Sequence, residues 1–211
     1  MLLLSDYLVH DDPTRAAMYK ERYLVECLKG HVPLNRLSSG QSIRGSIASL
    51  KAKADLAKGR TDAAVDRLGA MIEKQPSNSS LLEDLYPLLV KAGRKKEADE
   101  FYEKLNEYGE NVLALFPNSP QDLNSNAWLK ARCGKDLDTA LERSKRSNEL
   151  YEDNYASLDT LAEVYFQQGN REEAVKFSTE AVKLAGSDYL LYRQLQHFKN
   201  DPPLSESLKA P

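Results

Sequence analysis

An all-α array of antiparallel helix pairs is the fold that this sequence predicts, on three observations. Four glycines, Gly59, Gly93, Gly134 and Gly169, each separate two stretches of helical pattern. An alanine follows each glycine by five or six residues, and these alanines, Ala64, Ala98, Ala140 and Ala174, stand 34, 42 and 34 residues apart. The stretch after each glycine carries an apolar stripe, as in Ala98, Phe101, Tyr102 and Leu105 at i, i+3, i+4 and i+7. Glycine can take the left-handed conformation that ends one helix and turns the chain back. Alanine suits the point where the second helix crosses the first most closely.

A period of this length with small residues at fixed offsets marks a repeat architecture. The pattern resembles the tetratricopeptide repeat, a 34-residue helix-turn-helix unit with the signature W-x2-L-G-x2-Y, A-x3-F, P. In the last unit, 155–188, Leu158, Leu161, Ala162, Tyr165, Ala174 and Ala181 fall in its slots, while Ser178 and Gly186 replace an aromatic residue and a proline. In the unit 79–112, Leu82, Leu85, Leu89, Gly93, Ala98 and Tyr102 fit, and Tyr86 takes a slot for a small residue. The unit 45–78 matches through Gly59, Ala64, Leu68 and Pro76, but Lys51 and Asp55 stand in apolar slots. The unit 121–152 has Ala127 and Gly134 in place, one extra residue at its turn, and Ser144 and Ser147 where apolar groups are usual. The resemblance implies a right-handed superhelical solenoid of antiparallel helix pairs, whose first helices line a concave groove.

The remaining elements follow in chain order. Residues 1–42 are expected to hold an N-terminal helix, begun by the N-cap Asp12 and by Pro13, and a loop; MLLLSDYLVH resembles the end of an earlier repeat. Residues 43–186 hold the four repeats. Between the second and third lie seven extra residues, close to two helical turns. Leu105, Val112, Leu115 and Phe116 keep helical spacing, so one long helix is expected near 95–116, with Gly109 as its weak point. Pro87 is expected to kink a first helix. Residues 187–200 read as a capping helix with Leu191, Leu195 and Phe198 on one side, and 201–211 as a disordered tail.

Composition bounds the function. The net charge is −3, with 29 basic and 32 acidic residues well mixed, which argues against a nucleic-acid binder. No stretch has the length of a membrane span or the form of a signal peptide, so a cytoplasmic protein is expected, unless a targeting segment belongs to a longer chain. Cys27 and Cys133 show no metal-like spacing and read as reduced thiols. His10, His31 and His197 lie outside the repeats, Glu172 and Glu173 complement a helix dipole, and no phosphate-binding glycine motif is present. The expectation is a protein that is not an enzyme and that uses neither cofactor nor metal.

What remains is surface. By the repeat register, Lys53, Glu83, Asn124, Trp128, Asp159, Glu163 and Phe166 are expected to face the groove and bind an unidentified protein or peptide, a basic one because of the acids. Trp128 is expected either there, as an aromatic anchor, or packed on the long helix that ends at Phe116. Some tetratricopeptide proteins clamp a C-terminal carboxylate with Lys, Asn and Arg. Asn126 resembles the Asn of that pattern, but Ala156 and Thr160 stand where Lys and Arg are needed, so no clamp is expected. Two alternatives stay open: a self-associating array or homodimer, and a fragment of a longer chain whose activity lies elsewhere.

Overall fold

The computed structural model describes residues 11–29, 40–186 and 188–208, with the side chains of 27, 28 and 40–43 set aside. His10, His31, Cys27 and the expected N-terminal remnant 1–10 therefore lie outside the described residues. Every described element is helical, and no strand occurs among them. The elements are α1 (Pro13–Leu28), α2 (Gly40–Ala57), α3 (Thr61–Lys74), α4 (Tyr86–Lys91), α5 (Lys95–Leu115), α6 (Pro120–Cys133), α7 (Leu137–Leu150), α8 (Tyr155–Gln167), α9 (Arg171–Ala185), α10 (Tyr189–Asn200) and α11 (Leu204–Ser207), with a 3-10 turn at Ser79–Leu81. The chain divides into two units, Met1–Leu105 and Asn106–Pro211, the boundary falling inside α5.

In the first unit α1 packs on α2 and α2 on α3. The Arg15 amide donates to Asp12 Oδ1 at 2.9 Å, so Asp12 caps α1. Ala16 and Ala17 meet Leu50 of α2 in a small apolar cluster. Asp55 is buried where an apolar side chain would be usual. Arg60 Nε donates to it at 2.9 Å and Arg67 Nη2 at 3.1 Å. Burial pushes the Asp55 carboxyl up, but these two guanidiniums outweigh it and hold it below the usual carboxylate range. The basic residue after the turn glycine is thus a staple across the hairpin. Arg94, after the next turn glycine, acts differently: it bridges Glu97 of α5 at 2.5 Å and reaches Asp62 of α3 in the preceding hairpin.

Pro87 does not kink a helix as the sequence reading has it. It stands in the first turn of α4, a helix of only six residues, where its missing N–H deprives no carbonyl. The segment before it is the 3-10 turn and a series of turns that bury Leu81, Leu82 and Leu85. Tyr86, in its small-residue slot, is buried and donates its hydroxyl to Asp99 Oδ1 on α5 at 2.6 Å.

In the second unit α6 packs on α7, α7 on α8, α8 on α9, α9 on α10, and α6 also on α8. This order, partner first and then the next pair, is that of stacked helix hairpins. Ser119, Asn154, Asn170 and Asp188 cap four of these helices with side-chain oxygens that accept from backbone amides. Gly134, at φ 63°, ends α6 in the left-handed region. Gly59, Gly93 and Gly169 share that sign of φ. Ser144 and Ser147, polar in apolar slots, are buried with partners: Ser144 Oγ donates to Leu141 O and Ser147 Oγ to Pro120 O, at 3.1 and 2.9 Å.

The tail expected to be disordered after Asp201 carries α11. The Leu204 amide donates to Gln167 Oε1 at 2.9 Å, and Arg171 holds the Asp201 carbonyl at 2.7 Å. Pro203 is buried.

Gly109 is no weak point either. Helix α5 continues through it because its bare Cα receives the side chain of Asn126, whose Nδ2 would lie 2.9 Å from an added Cβ. Asn126 in turn binds Asn106 and Arg143. Arg143 grips Glu110 with two parallel bonds of 2.8 and 2.7 Å, and the buried Lys130 joins Glu110 at 3.4 Å and Asp136 at 3.0 Å. The Arg143 hydrogen bonds hold the Glu110 carboxyl below its ordinary range. The extra turns of α5 thus carry the acid of a polar hub. An exposed helical Gly→Ala change stabilises by about 1 kcal/mol. Gly109→Ala is expected to destabilise by about 1–2 kcal/mol instead, through loss of the Asn126 bonds. Urea denaturation of Gly109→Ala and of Gly109→Ala/Asn126→Ala tests this, the double variant being the less sensitive to the added methyl.

Candidate interaction surface

The structure divides the residues expected in the groove into three kinds. Lys53 and Glu83, in the first unit, are half-buried; Lys53 pairs with Asp84 at 2.5 Å, and Glu83 accepts from Ser79 Oγ at 3.3 Å. In the second unit Asn124 and Trp128 are half-buried, and the Arg132 guanidinium lies 5.6 Å from the Trp128 ring centre. Glu163 and Phe166 are not on an open groove at all. Both are fully buried, because α10 covers the face of α8 that would present them. Gln167 Nε2 donates to Glu163 Oε1 at 2.8 Å, Gln194 Nε2 of α10 to Oε2 at 2.5 Å, and Arg132 bridges the carboxylate at 3.3 Å. Phe166 sits 4.9 Å from the ring of Phe198 and 5.0 Å from that of His197. The acids that suggested a basic ligand are therefore already neutralised or sealed, and this reason for a basic partner falls. Asn126 is likewise buried inside the hub described above, which removes the last trace of a carboxylate clamp.

Asp159 is the unusual member of this face. Its Oδ1 is sealed from solvent with no hydrogen-bond partner. Burial, and then the neighbouring charge of Glu163, raise its pKa to about 7, with Arg132 opposing and Asp188 adding a little. Asn124 Oδ1 is sealed and unpartnered as well.

An open cleft does exist, on another face. In the first unit α1, α2 and α3 surround a space of about 750 Å³. Its walls are Glu21, Leu24 and Val25 of α1, Arg44, Ile47, Ala48 and Lys51 of α2, and Arg67, Ala70, Met71 and Lys74 of α3. The positions in α2 and in α3 both follow i, i+3, i+4 and i+7, with a cation at each end and apolar groups between. Helical geometry puts such a set on one face. That signal was present in the sequence, but the repeat register directs attention to the opposite face of α2, where Lys53 lies. A second cleft, of about 740 Å³, lies within the second unit beside Leu113, Pro117 and Leu123; its rim balances Glu110, Glu142 and Glu149 against Arg143, Lys145 and Arg146.

Among the described residues no cluster of His, Cys, Asp or Glu could hold a metal ion. Cys133, the last residue of α6, is buried. No described helix is long and apolar enough to cross a membrane.

Comparison with known proteins bears on the first unit most directly. The profile of the bacterial transcriptional activator domain, BTAD, matches residues 14–120. The chain belongs to the BTAD family. The match takes in α1 from Thr14 onward, α2 to α5, and every residue of the first cleft. No curated protein matches the chain. Among solved structures it is similar to one named MamA MSR-1 C2, at 18% identity over 80% of this chain and 96% of that one, with a TM-score of 0.33. So loose an overlay carries no functional argument.

The raised pKa of Asp159 makes stability depend on pH. Between about 4, its unfolded value, and about 7 the folded state binds more protons than the unfolded one, so stability falls as pH rises through that window. Asp159→Asn is expected to flatten this fall, by on the order of 1–2 kcal/mol once partial solvent access is allowed for. Urea midpoints of both proteins at pH 4.5 and pH 8 measure it.

Proposed function

We propose that this chain is a non-catalytic protein-interaction module of a bacterial transcriptional regulator, and that its hairpins are tetratricopeptide repeats. The observation that carries the reading is the open apolar cleft of α1, α2 and α3, which lies wholly within the residues matched by the BTAD family. Helix-lined grooves of this kind are where stacked hairpins hold segments of other proteins. Ionisable side chains with unusual burial, such as Asp55, Lys130 and Glu163, tie helices to one another instead of converging on open space. The half-exposed Trp128, with Arg132 over its ring, is a second contact point for a partner. That reading carries a cytoplasmic location with it, because a transcriptional regulator works beside the chromosome.

Self-association is the second reading, and one observation favours it. The outer side of α10 exposes Tyr189, Leu190 and Tyr192, each by more than half, an apolar patch of the kind that marks an interaction surface.

A tagged chain expressed in its source cell tests both. The module reading expects one protein at reproducible stoichiometry with the wild type, and its reduction on Val25→Asp or Trp128→Ala with circular dichroism unchanged. A wild type recovered alone and monomeric overturns it. Recovery of the chain only, with a mass that rises with concentration and returns to the monomer in Tyr192→Lys, replaces it by self-association. Turnover of a substrate by the purified chain overturns the non-catalytic part.

A further inference from the structure

The charge pattern of the first cleft says more than that something binds there. Resting on the interaction-module reading, we infer that the cleft of α1, α2 and α3 is a docking groove for an acidic amphipathic helix of a partner protein. The floor is apolar: Leu24, Val25, Ile47 and Met71 contribute to it. The rim holds four cations against the single carboxylate of Glu21. Two of the four are engaged, Lys51 with Glu21 and Arg67 with Asp55. Arg44 and Lys74 are exposed and make no ion pair among the described residues.

Those two stand at the same end of the α2–α3 hairpin. Gly45, next to Arg44, lies against Gln75, next to Lys74; an added Cβ there would be 3.3 Å from Gln75 Oε1. A ligand is therefore offered an apolar trough whose one end is doubly positive. The walls are helices, with no strand edge to extend among the described residues, so the ligand's own backbone bonds must be satisfied internally. A helix meets that requirement and its width of ~10 Å suits a groove between helices. Apolar residues at i, i+3, i+4 and i+7 would cover the floor, and Glu or Asp at the flanks would meet Arg44 and Lys74. A nucleic-acid backbone fits poorly, since phosphates would leave the apolar floor uncovered. A basic helix would bring like charges together at Arg44 and Lys74.

The test uses synthetic probes with the whole chain, followed by fluorescence anisotropy. One labelled helix carries Leu at i, i+3, i+4 and i+7 with Glu flanks; a second replaces Glu by Lys; a third scrambles the first. The acidic helix is expected to bind, at least tenfold tighter than the scrambled one, with affinity falling as salt rises. Arg44→Glu/Lys74→Glu is expected to weaken it at least tenfold and to gain binding of the Lys helix. Lys183→Glu/Lys199→Glu, exposed in the second unit, leaves it unchanged. Should the reversal disturb folding by circular dichroism, Arg44→Gln/Lys74→Gln takes its place and must still weaken binding. Equal binding of acidic and scrambled helices, indifference to either pair of substitutions, or displacement by double-stranded DNA overturns the proposal. So does a monomer–dimer equilibrium abolished by the same reversal, which would make a second copy the occupant. If the acidic helix fails while a captured partner is lost on Trp128→Ala, the module reading survives and the groove assignment alone falls. If no partner is captured either, both fall.

Discussion

Close approach of paired helices is the constraint on which the rest of this structure depends. At Ala64, Ala98, Ala140 and Ala174 the second helix of each pair is sealed against its partner. A larger side chain at any of these points would separate the axes and uncover the stripes on both helices. Close packing of this kind is sensitive to a single methylene. It holds only if the turn between the helices is short, and the left-handed glycine at each turn makes it so. The basic residue that follows ties the turn down. Arg60 reaches back to Asp55 within its own pair, Arg94 to Asp62 of the preceding pair, and Arg171 forward to the Phe198 and Asp201 carbonyls.

Departures from the repeat pattern concentrate where polar groups enter the interior. Asp55, Tyr86, Asn126, Ser144, Ser147 and Glu163 all stand in buried positions, and each has its partner. Burying such groups gains little net stability, and breaking one half of such a pair costs several kcal/mol. A hub such as Glu110 with Arg143 and Lys130 joins the extra turns of α5 to α6 and α7. Asp159 is different: its Oδ1 is sealed without a partner, and burial together with the charge of Glu163 raises its pKa to about 7.

The same arrangement separates closed faces from open ones. In the second unit the C-terminal helices α10 and α11 lie over α8 and bury Glu163 and Phe166, so the chain itself fills the face that an external segment would use. In the first unit α1, α2 and α3 leave a trough, floored by apolar side chains and rimmed by cations. The trough lies within the residues that the BTAD family model matches.

By itself the sequence determined the helix-pair architecture, because the spacing of glycines, alanines and apolar stripes is a local property that helical geometry converts directly into faces and turns. It also carried the two basic–apolar–basic sets, at 44, 47, 48, 51 and at 67, 70, 71, 74, in plain view. Only the tertiary structure decided which faces stay open. A repeat register names the face of α8 that holds Glu163 and Phe166, but burial depends on whether α10 lies over that face, and this is set by contacts between residues some thirty positions apart, such as Glu163 with Gln194. The same holds for Pro87, whose effect turned on where α4 begins, and for Gly109, whose bare Cα has meaning only once Asn126 is beside it. Periodicity reports what a helix presents. What meets it is a matter of long-range packing.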